Sequence, residues 1–207
     1  MRRRQTPTIL VTGLRSSFNR RKELREPRSL AFQVSSQASS LVNSSFRGNR
    51  FRGSQRYPGY GDLTRDAGIA IAAGEGLERR TDFARLLADG VDILQPDVAI
   101  CGGIGEASFV ADLAALRGRA CVPHCWGGAV VVAATLQLLA VIPEATEIDG
   151  SYGCLIEWDT FENPMRTDLL TTPLTVADGR VAIPAGPGLG IEVDEDVVRR
   201  LDQLAVG

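Results

Sequence analysis

Short apolar runs alternate with amphipathic stretches along the chain from about residue 67 onward. The runs end at glycine, proline or a charged residue, which is typical of β strands. The stretches between them place apolar residues three and four positions apart, as on one face of a helix. The predicted strands cover 68–73, 91–97, 120–124 and 154–159, and the predicted helices cover 80–90, 105–118 and 128–142.

This alternation of strand and helix predicts an α/β fold. The strands are apolar on both faces, as parallel strands covered by helices must be. About four βα units correspond to the C-terminal half of a (β/α)8 TIM-type barrel. An open half-barrel has two unpaired strand edges, so we expect the remainder to lie upstream or on another chain. Residues 173–184 predict a hairpin with Asp178-Gly179 at its turn, and 194–204 predict a final helix.

Residues 1–66 differ from the rest of the chain in composition and in pattern. They hold 14 of the 23 basic residues but 4 of the 25 acidic ones. No period of 2 or 3.6 persists, so the segment offers too little apolar surface to offset the entropy of ordering. Residues 6–13 could begin a Rossmann domain, but no G-x-G-x-x-G follows them. We predict a disordered basic Arg/Ser-rich tail over 1–66, of out-of-frame or unrelated origin, and a partial barrel domain over 67–207.

The chain contains no apolar stretch long enough for a transmembrane helix and no apolar core of a signal peptide. Its four cysteines lie in apolar or glycine-rich surroundings, which favours reduced thiols and a cytoplasmic protein over a disulfide framework. These cysteines are Cys101, Cys121, Cys125 and Cys154.

Polar candidates for chemistry follow the four predicted strands in succession. Glu75 follows the first strand, and Asp97, His124 and Glu157 come at the ends of the next three. In a βα barrel these strand ends converge on one mouth, where catalytic groups lie. Four such residues on consecutive strands are unlikely to arise by chance, so we expect a site there.

His124 is the single histidine of the chain. It could be a satisfied, partly buried histidine, or it could be a general acid or base. Asp97 lies one βα unit earlier, which places both side chains on neighbouring strands within hydrogen-bond reach. A carboxylate on one ring nitrogen fixes the tautomer and raises the basicity of the other. The pair therefore favours the catalytic role.

The other candidates carry weaker signals by themselves. Glu75, between two glycines, is either a solvated carboxylate or a metal ligand, and Mg²⁺ usually needs further oxygen donors. Glu157 either caps its strand or serves as a second acid. Zinc at Cys121, His124 and Cys125 is disfavoured, because no second Cys/His pair exists at suitable spacing. The basic tail could bind nucleic acid electrostatically, a less favoured alternative.

Four blocks of the sequence resemble one enzyme family in the correct order. They read AAGEGLERRTDFARLLADGVDILQPDVAICGGIGEA, VPHCWGGAVVVAATLQLLA, IEWDTFENPMRTDLL and GPGLGIEVDEDVV. Together they resemble the C-terminal barrel half of the mandelate racemase/muconate lactonizing enzyme family of the enolase superfamily, over roughly 68–204. Within that family the blocks are most similar to acid-sugar dehydratases and to the galactarolactone cycloisomerase-like group.

The resemblance implies a role for each candidate. Glu75 matches a carboxylate ligand of Mg²⁺ at the end of the fifth barrel strand. Asp97 and His124 match the catalytic dyad on the sixth and seventh strands, and Glu157 matches the acidic residue ending the eighth. The implied reaction is abstraction of the proton α to the carboxylate of a hydroxy acid or sugar acid, where Mg²⁺ stabilises the ene-diolate. The family is usually homo-oligomeric, acts on small carboxylates and has no membrane association.

The sequence also departs from the family pattern. It lacks the N-terminal capping domain, the first four βα units, two further metal carboxylates and the lysine common on the second strand. We therefore expect little or no activity from the chain alone. The competing hypothesis is a non-enzymatic module whose basic tail binds nucleic acid or a partner chain.

Overall fold

The computed structural model describes the chain in six stretches, which fall into two compact units. The stretches are residues 8–13, 32–33, 59–67, 70–142, 154–159 and 161–205. We call the described parts of residues 15–124 and 142–153 the dyad unit, and the described parts of residues 1–14, 125–141 and 154–207 the hairpin unit.

The secondary structure follows the predicted order of strands and helices. The strands are β1 (Thr8–Gly13), β2 (Phe32–Gln33), β3 (Ile71–Ala73), β4 (Ile93–Leu94), β5 (Ala120–Cys121), β6 (Leu155–Trp158), β7 (Val176–Ala177) and β8 (Arg180–Ala182). The helices are α1 (Tyr60–Ala67), α2 (Arg80–Ala88), α3 (Ile104–Ala115), α4 (Ala129–Leu139), α5 (Pro164–Thr167) and α6 (Glu195–Ala205).

The dyad unit is built on a parallel sheet in the order β2-β3-β4-β5. Ala72, Ile93 and Ala120 share one rung of this sheet and form a buried apolar cluster. Helices α2 and α3 pack on each other, and α3 also packs on β4 and β5. The predicted α/β class of the chain is confirmed by this arrangement.

Helix α2 has the apolar face that its sequence pattern predicts. Phe83, Leu86 and Leu87 are all buried, at positions three and four residues apart. At an exposed point between the helices, Arg80 of α2 binds both carboxylate oxygens of Glu106 at 2.5 and 2.6 Å. Its guanidinium also lies 4.0 Å from the centroid of the Phe109 ring. A surface ion pair therefore joins α2 to α3, while the apolar stripe of α2 is buried.

The hairpin unit contains a second sheet in the order β6-β1-β8-β7. Strand β1 pairs in parallel with β6 and antiparallel with β8. The predicted hairpin is present as β7 and β8, and Asp178 and Gly179 at its turn both have positive φ, at 51° and 69°. Positive φ at both central residues is the type I′ pattern that favours Asp-Gly. Helix α4 packs on β6 and α5.

Three elements lie inside the range 1–66, for which we predicted disorder: β1, β2 and most of α1. The predicted disorder of the tail stays a prediction, and the other residues of 1–66, except Gly59, lie outside the described residues. In α1, Gly61 explains the order, because a Cβ there would lie 2.6 Å from the carbonyl oxygen of Asp89. The helix can therefore approach the α2–β4 loop closely, where the Tyr60 N–H donates to the Asp89 carboxylate. In the described part of the chain, no helix is both long and apolar enough to traverse a bilayer.

Candidate functional site

Three of the four predicted site residues lie together in the dyad unit. Glu75 follows β3, Asp97 follows β4 and His124 follows β5, so the parallel sheet delivers all three to its carboxyl edge. The chain leaves β3 through Gly74, whose φ of 122° suits glycine. A Cβ at that position would also lie 3.1 Å from the Phe83 ring. Gly74 thus allows the tight turn that presents Glu75.

Asp97 and His124 form the predicted pair. The Asp97 Oδ2 atom lies 2.7 Å from His124 Nδ1, and the two residues form a parallel bridge that extends the β4–β5 ladder. The other carboxylate oxygen, Oδ1, accepts a hydrogen bond of 2.7 Å from the Ala99 N–H. The Asp97 side chain is 2% exposed and that of His124 is 13% exposed. Both oxygens of the carboxylate are therefore used, and its orientation is fixed.

Glu75 faces the other nitrogen of the same ring. Its Oε2 atom lies 3.7 Å from His124 Nε2, and its side chain is 15% exposed. An ionised Asp97 can only accept, so Nδ1 carries the hydrogen and Nε2 carries the lone pair in neutral His124. After protonation at Nε2, the imidazolium lies between two carboxylates, which stabilise its charge. The arrangement can therefore accept a proton at Nε2 and hold it.

Glu157 belongs to the hairpin unit. It is buried on β6, 6% exposed, and its Oε2 atom accepts a hydrogen bond of 3.3 Å from the N–H of Cys125, the residue after His124 in the chain. This contact holds the start of the loop that leads to α4. The catalytic role predicted for Glu157 stays a prediction.

The described residues do not complete a metal site. Among them, no group of three or more His, Cys, Asp or Glu side chains is arranged to hold a metal ion. Mg²⁺ binds oxygen donors in an octahedral set that usually includes carboxylates, and the resemblance assigns only Glu75 to it here. The described part of the chain therefore does not fit Mg²⁺ by itself, and we derive no chemical step through the metal.

None of the four cysteines, all of which lie in the described residues, forms a disulfide. Burial raises the pKa of the Cys121 thiol, and burial together with the nearby Asp97 charge raises that of Cys101. Zinc and electrophiles react with thiolates. The raised pKa values disfavour the thiolate form of Cys101 and Cys121.

Two further ion pairs among the described residues were not predicted from the sequence: the first is partly buried, and the second is buried on both sides. Asp92, before β4, binds Arg119, before β5, with 2.5 Å between Oδ1 and Nη1. The same 27 residues separate Asp92 from Arg119 and Asp97 from His124, and this equal spacing was a signal available in the sequence.

The second pair joins Asp159, after β6, to Arg166 in α5, with 2.7 Å between Oδ2 and Nη1. Both side chains are less than a tenth exposed. Burial opposes ionisation of Asp159, but hydrogen bonds from the Phe161 N–H and Arg166, with the Arg166 charge, outweigh it and lower the pKa of Asp159. The hairpin unit also has an open cavity of about 480 Å³ near Thr171, Pro184 and Ile191, which none of the four predicted site residues lines.

Comparison with known proteins identifies related sequences over most of the described barrel residues. Residues 52–197 match the family described as enolase C-terminal domain-like. The chain is 42% identical over 132 residues to D-galactarolactone cycloisomerase from Agrobacterium fabrum, covering 63% of this chain and 35% of that one. It is 31% identical over 145 residues to D-galactonate dehydratase from Xanthomonas oryzae pv. oryzae, covering 70% of this chain and 37% of that enzyme.

Solved structures give the same relationship. The 3,6-anhydro-D-galactonate cycloisomerase from Zobellia galactanivorans superposes with a TM-score of 0.60 at 31% identity, covering 69% of this chain and 38% of that one. A mandelate racemase/muconate lactonizing enzyme from Jannaschia sp. CCS1 gives 0.58 at 34% identity, covering 69% and 34%. The chain spans little more than a third of the length of these curated relatives. It belongs to the enolase superfamily, as a protein with an enolase C-terminal domain-like fold related to mandelate racemase and muconate lactonizing enzyme.

Proposed function

We propose that this chain supplies the proton-transfer part of an enzyme that removes the proton α to the carboxylate of a hydroxy acid or sugar acid. The observation that carries the proposal is the position of His124, with Asp97 on Nδ1 at 2.7 Å and Glu75 near Nε2 at 3.7 Å. Dehydration, cycloisomerisation or epimerisation is the overall outcome. The names of the relatives, which act on galactarolactone and galactonate, support an acid-sugar substrate.

In this proposal His124 is the acid–base group and Asp97 is its orienting partner. Neutral His124 takes the α-proton from carbon at Nε2, while the carboxylate of Asp97 retains the hydrogen bond to Nδ1–H. The imidazolium then returns the proton to the intermediate or to the departing group. Glu157, buried on β6, is proposed as a second acid on the strength of its strand-end position.

Magnesium dependence of the complete enzyme is part of the proposal. A bound Mg²⁺ would supply positive charge that favours loss of a proton next to a carboxylate. Glu75 is the proposed ligand from this chain. Because the described residues provide no further ligand group, we propose that the chain alone has little or no turnover. We also propose a cytoplasmic location, which four cysteines outside any disulfide support, and homo-oligomeric assembly.

The first experiment measures turnover of the purified chain on a panel of acid sugars with and without Mg²⁺. We expect no turnover above the buffer blank. Clear Mg²⁺-dependent turnover that His124→Asn abolishes would overturn the proposal that the chain is inactive alone, and would support the proton-transfer role directly.

The second experiment supplies the portion of a relative that this chain does not cover. The chain is co-expressed with the portion of Agrobacterium fabrum D-galactarolactone cycloisomerase that precedes the matched segment, and galactarolactone consumption is measured. We expect activity that falls by about 10²–10⁴-fold in His124→Asn, since a positioned acid–base group contributes about that much. Arg199→Met, which removes an exposed ion pair of α6, is the matched control and should retain activity. A purified complex without turnover would contradict the proposed function.

A further inference from the structure

Strands β4 and β5 carry an ion pair at each end of their shared ladder. Before the strands, Arg119 Nη1 lies 2.5 Å from Asp92 Oδ1. After the strands, His124 Nδ1 lies 2.7 Å from Asp97 Oδ2. Each pair joins an aspartate associated with β4 to a basic residue 27 positions later, associated with β5. The two pairs therefore belong to a single register.

The backbone between the pairs keeps that register. Ile93 pairs with Ala120, Leu94 pairs with Cys121, and the bridge between Asp97 and His124 continues the series. Hydrogen bonds from the Ala120 N–H to Asp92 O and from the Val122 N–H to Leu94 O, at 3.2 and 3.0 Å, run along it. A shift of one strand along the other would therefore break both side-chain pairs at once.

Asp92 also holds the third strand. Its Oδ2 atom accepts a hydrogen bond of 3.0 Å from the Ile71 N–H, and its own N–H donates to the Ile71 carbonyl at 3.1 Å. Ile71 begins β3, which presents Glu75 four residues later. Ile71, Asp92 and Arg119 are thus joined across the amino ends of the three strands whose carboxyl ends present Glu75, Asp97 and His124.

The apolar pattern alone specifies this register weakly. The residues that share the central rung, Ala72, Ile93 and Ala120, are apolar, and β4 and β5 are two residues long. A slip of two residues keeps the same face of a strand buried, so hydrophobic burial discriminates poorly against it. A carboxylate that accepts one hydrogen bond from the Arg119 guanidinium and another from the Ile71 backbone N–H does discriminate, because both bonds form together in one register only.

We propose that Arg119, acting through Asp92, is a positioning residue that sets the register in which His124 meets Asp97 and Glu75. The inference rests on the proposed function, because that function is what makes the contacts of His124 with Asp97 and Glu75 catalytic. Arg119 itself lies at the opposite end of β5 from His124 and touches no reacting group. Its effect reaches the site through the ladder.

The single histidine makes this testable by NMR without any substrate. In the full 207-residue chain labelled with ¹⁵N-histidine, the Nδ1–H proton held by Asp97 should give one low-field resonance. In Arg119→Met we expect this resonance to move upfield or vanish. Amide hydrogen exchange at Val122, which reports the ladder, should become about tenfold faster or more, as expected when a local unit opens more easily.

The matched control is Arg80→Met. Arg80 also forms an ion pair inside the dyad unit, with Glu106, but it joins two helices and takes no part in the ladder. Its loss should leave the histidine resonance and Val122 exchange unchanged, whatever it does to the unfolding midpoint. If Arg80→Met changes the resonance as much as Arg119→Met, the effect is general destabilisation and the inference is overturned.

A folded Arg119→Met with the wild-type resonance and wild-type Val122 exchange overturns the inference as well. If that variant does not fold, Asp92→Asn decides, because it keeps the side-chain shape but leaves one acceptor for two donors. A weakened resonance in Asp92→Asn upholds the inference, and an unchanged one overturns it. These outcomes are independent of turnover, so failure of the proposed reaction in the complementation assay would be recognised separately.

Discussion

The two ends of the β4–β5 ladder carry the same kind of carboxylate but different kinds of partner. At the amino end, Asp92 binds Arg119, whose guanidinium stays protonated at every pH a folded protein meets. At the carboxyl end, Asp97 binds His124, whose imidazole can carry a hydrogen on one ring nitrogen or on both. The aspartates are both buried, at 6% and 1% exposed. The partner, not the carboxylate, therefore distinguishes an end that holds the strands from an end that can transfer a proton.

One sheet thus has a rigid end at the Asp92–Arg119 pair and a reactive end at the Asp97–His124 pair. A permanent cation makes a bond that does not respond to the state of the site. An imidazole can change tautomer or charge while it keeps a hydrogen bond to the same aspartate. Substitutions that remove charge but preserve shape should therefore affect the two ends unequally, and ion pairs elsewhere in the chain show whether the rule is general.

The largest effect is expected for the permanent pair that is most deeply buried, Asp159 with Arg166 in the hairpin unit. Arg166 also donates to the Phe161 carbonyl. Arg166→Met leaves the Asp159 carboxylate buried without its cation, which costs about 3–5 kcal/mol in comparable buried pairs. Urea unfolding followed by circular dichroism measures this loss. Arg199→Met, whose ion pairs with Glu195 and Asp196 are exposed, should leave the midpoint unchanged.

The next effect tests the amino end of the ladder directly. In Asp92→Asn one carboxylate oxygen becomes an NH2 group that faces either the Ile71 N–H or the Arg119 guanidinium, both of which are donors. A buried donor without an acceptor costs about 1–3 kcal/mol, and we expect a decrease of this size in the free energy of unfolding. Equal stability of Asp92→Asn and wild type would show that the Asp92–Arg119 pair does not stabilise the fold.

The matched change at the carboxyl end should cost less. In Asp97→Asn the amide oxygen can keep the bond from the Ala99 N–H, and the NH2 group can donate to Nδ1 after His124 changes tautomer. We expect a loss of under about 1 kcal/mol in the same unfolding measurement. The proposed activity of the complemented enzyme should fall nonetheless, since the hydrogen moves to Nε2. A larger loss of stability than in Asp92→Asn would reverse the comparison.

The smallest effect is expected in the dependence of the unfolding free energy on acidic pH. The pKa of Asp159 is lowered in the folded protein from its ordinary value of 3.8, so the folded state favours the ionised carboxylate. Its contribution to stability is therefore complete above about pH 4 to 5 and is lost as pH falls through the lowered pKa. The difference in unfolding free energy between wild type and Asp159→Asn should shrink below pH 4. A difference that is constant from pH 7 to pH 2 would contradict this assignment.

The order of elements from Ala67 onward can be predicted from the sequence, because burial of both strand faces and of one helix face requires apolar residues at regular spacing. Phe83, Leu86 and Leu87 show this periodic pattern on a helix. Asp178-Gly179 marks the hairpin turn in a different way, because positive φ restricts which residues can occupy it. Helix α1 shows neither signal. Its docking depends on the missing side chain of Gly61, which contributes nothing to a hydrophobic pattern.

The candidate site divides in the same way. Asp97 and His124 were predicted as a pair because each ends a strand and the strands are consecutive, and the 2.7 Å contact agrees with that placement. Asp92 and Arg119 were missed because they lie at the amino ends of the predicted strands, whereas catalytic groups are expected at the carboxyl ends. The pairing of β1 with β6 was missed because it joins segments more than 140 residues apart, and periodicity carries no information on such contacts.

The pair at each end of the ladder also predicts which changes of chain length this domain can accept. Five positions separate Asp92 from Asp97, and five separate Arg119 from His124. Inserting or deleting one residue inside either interval would leave only one of the two pairs able to form. An insertion between Ala99 and Gly118, in the loops around α3, would leave both intervals intact. Length variation among natural or engineered versions should therefore collect around that helix, while the two strand intervals keep the same number of residues.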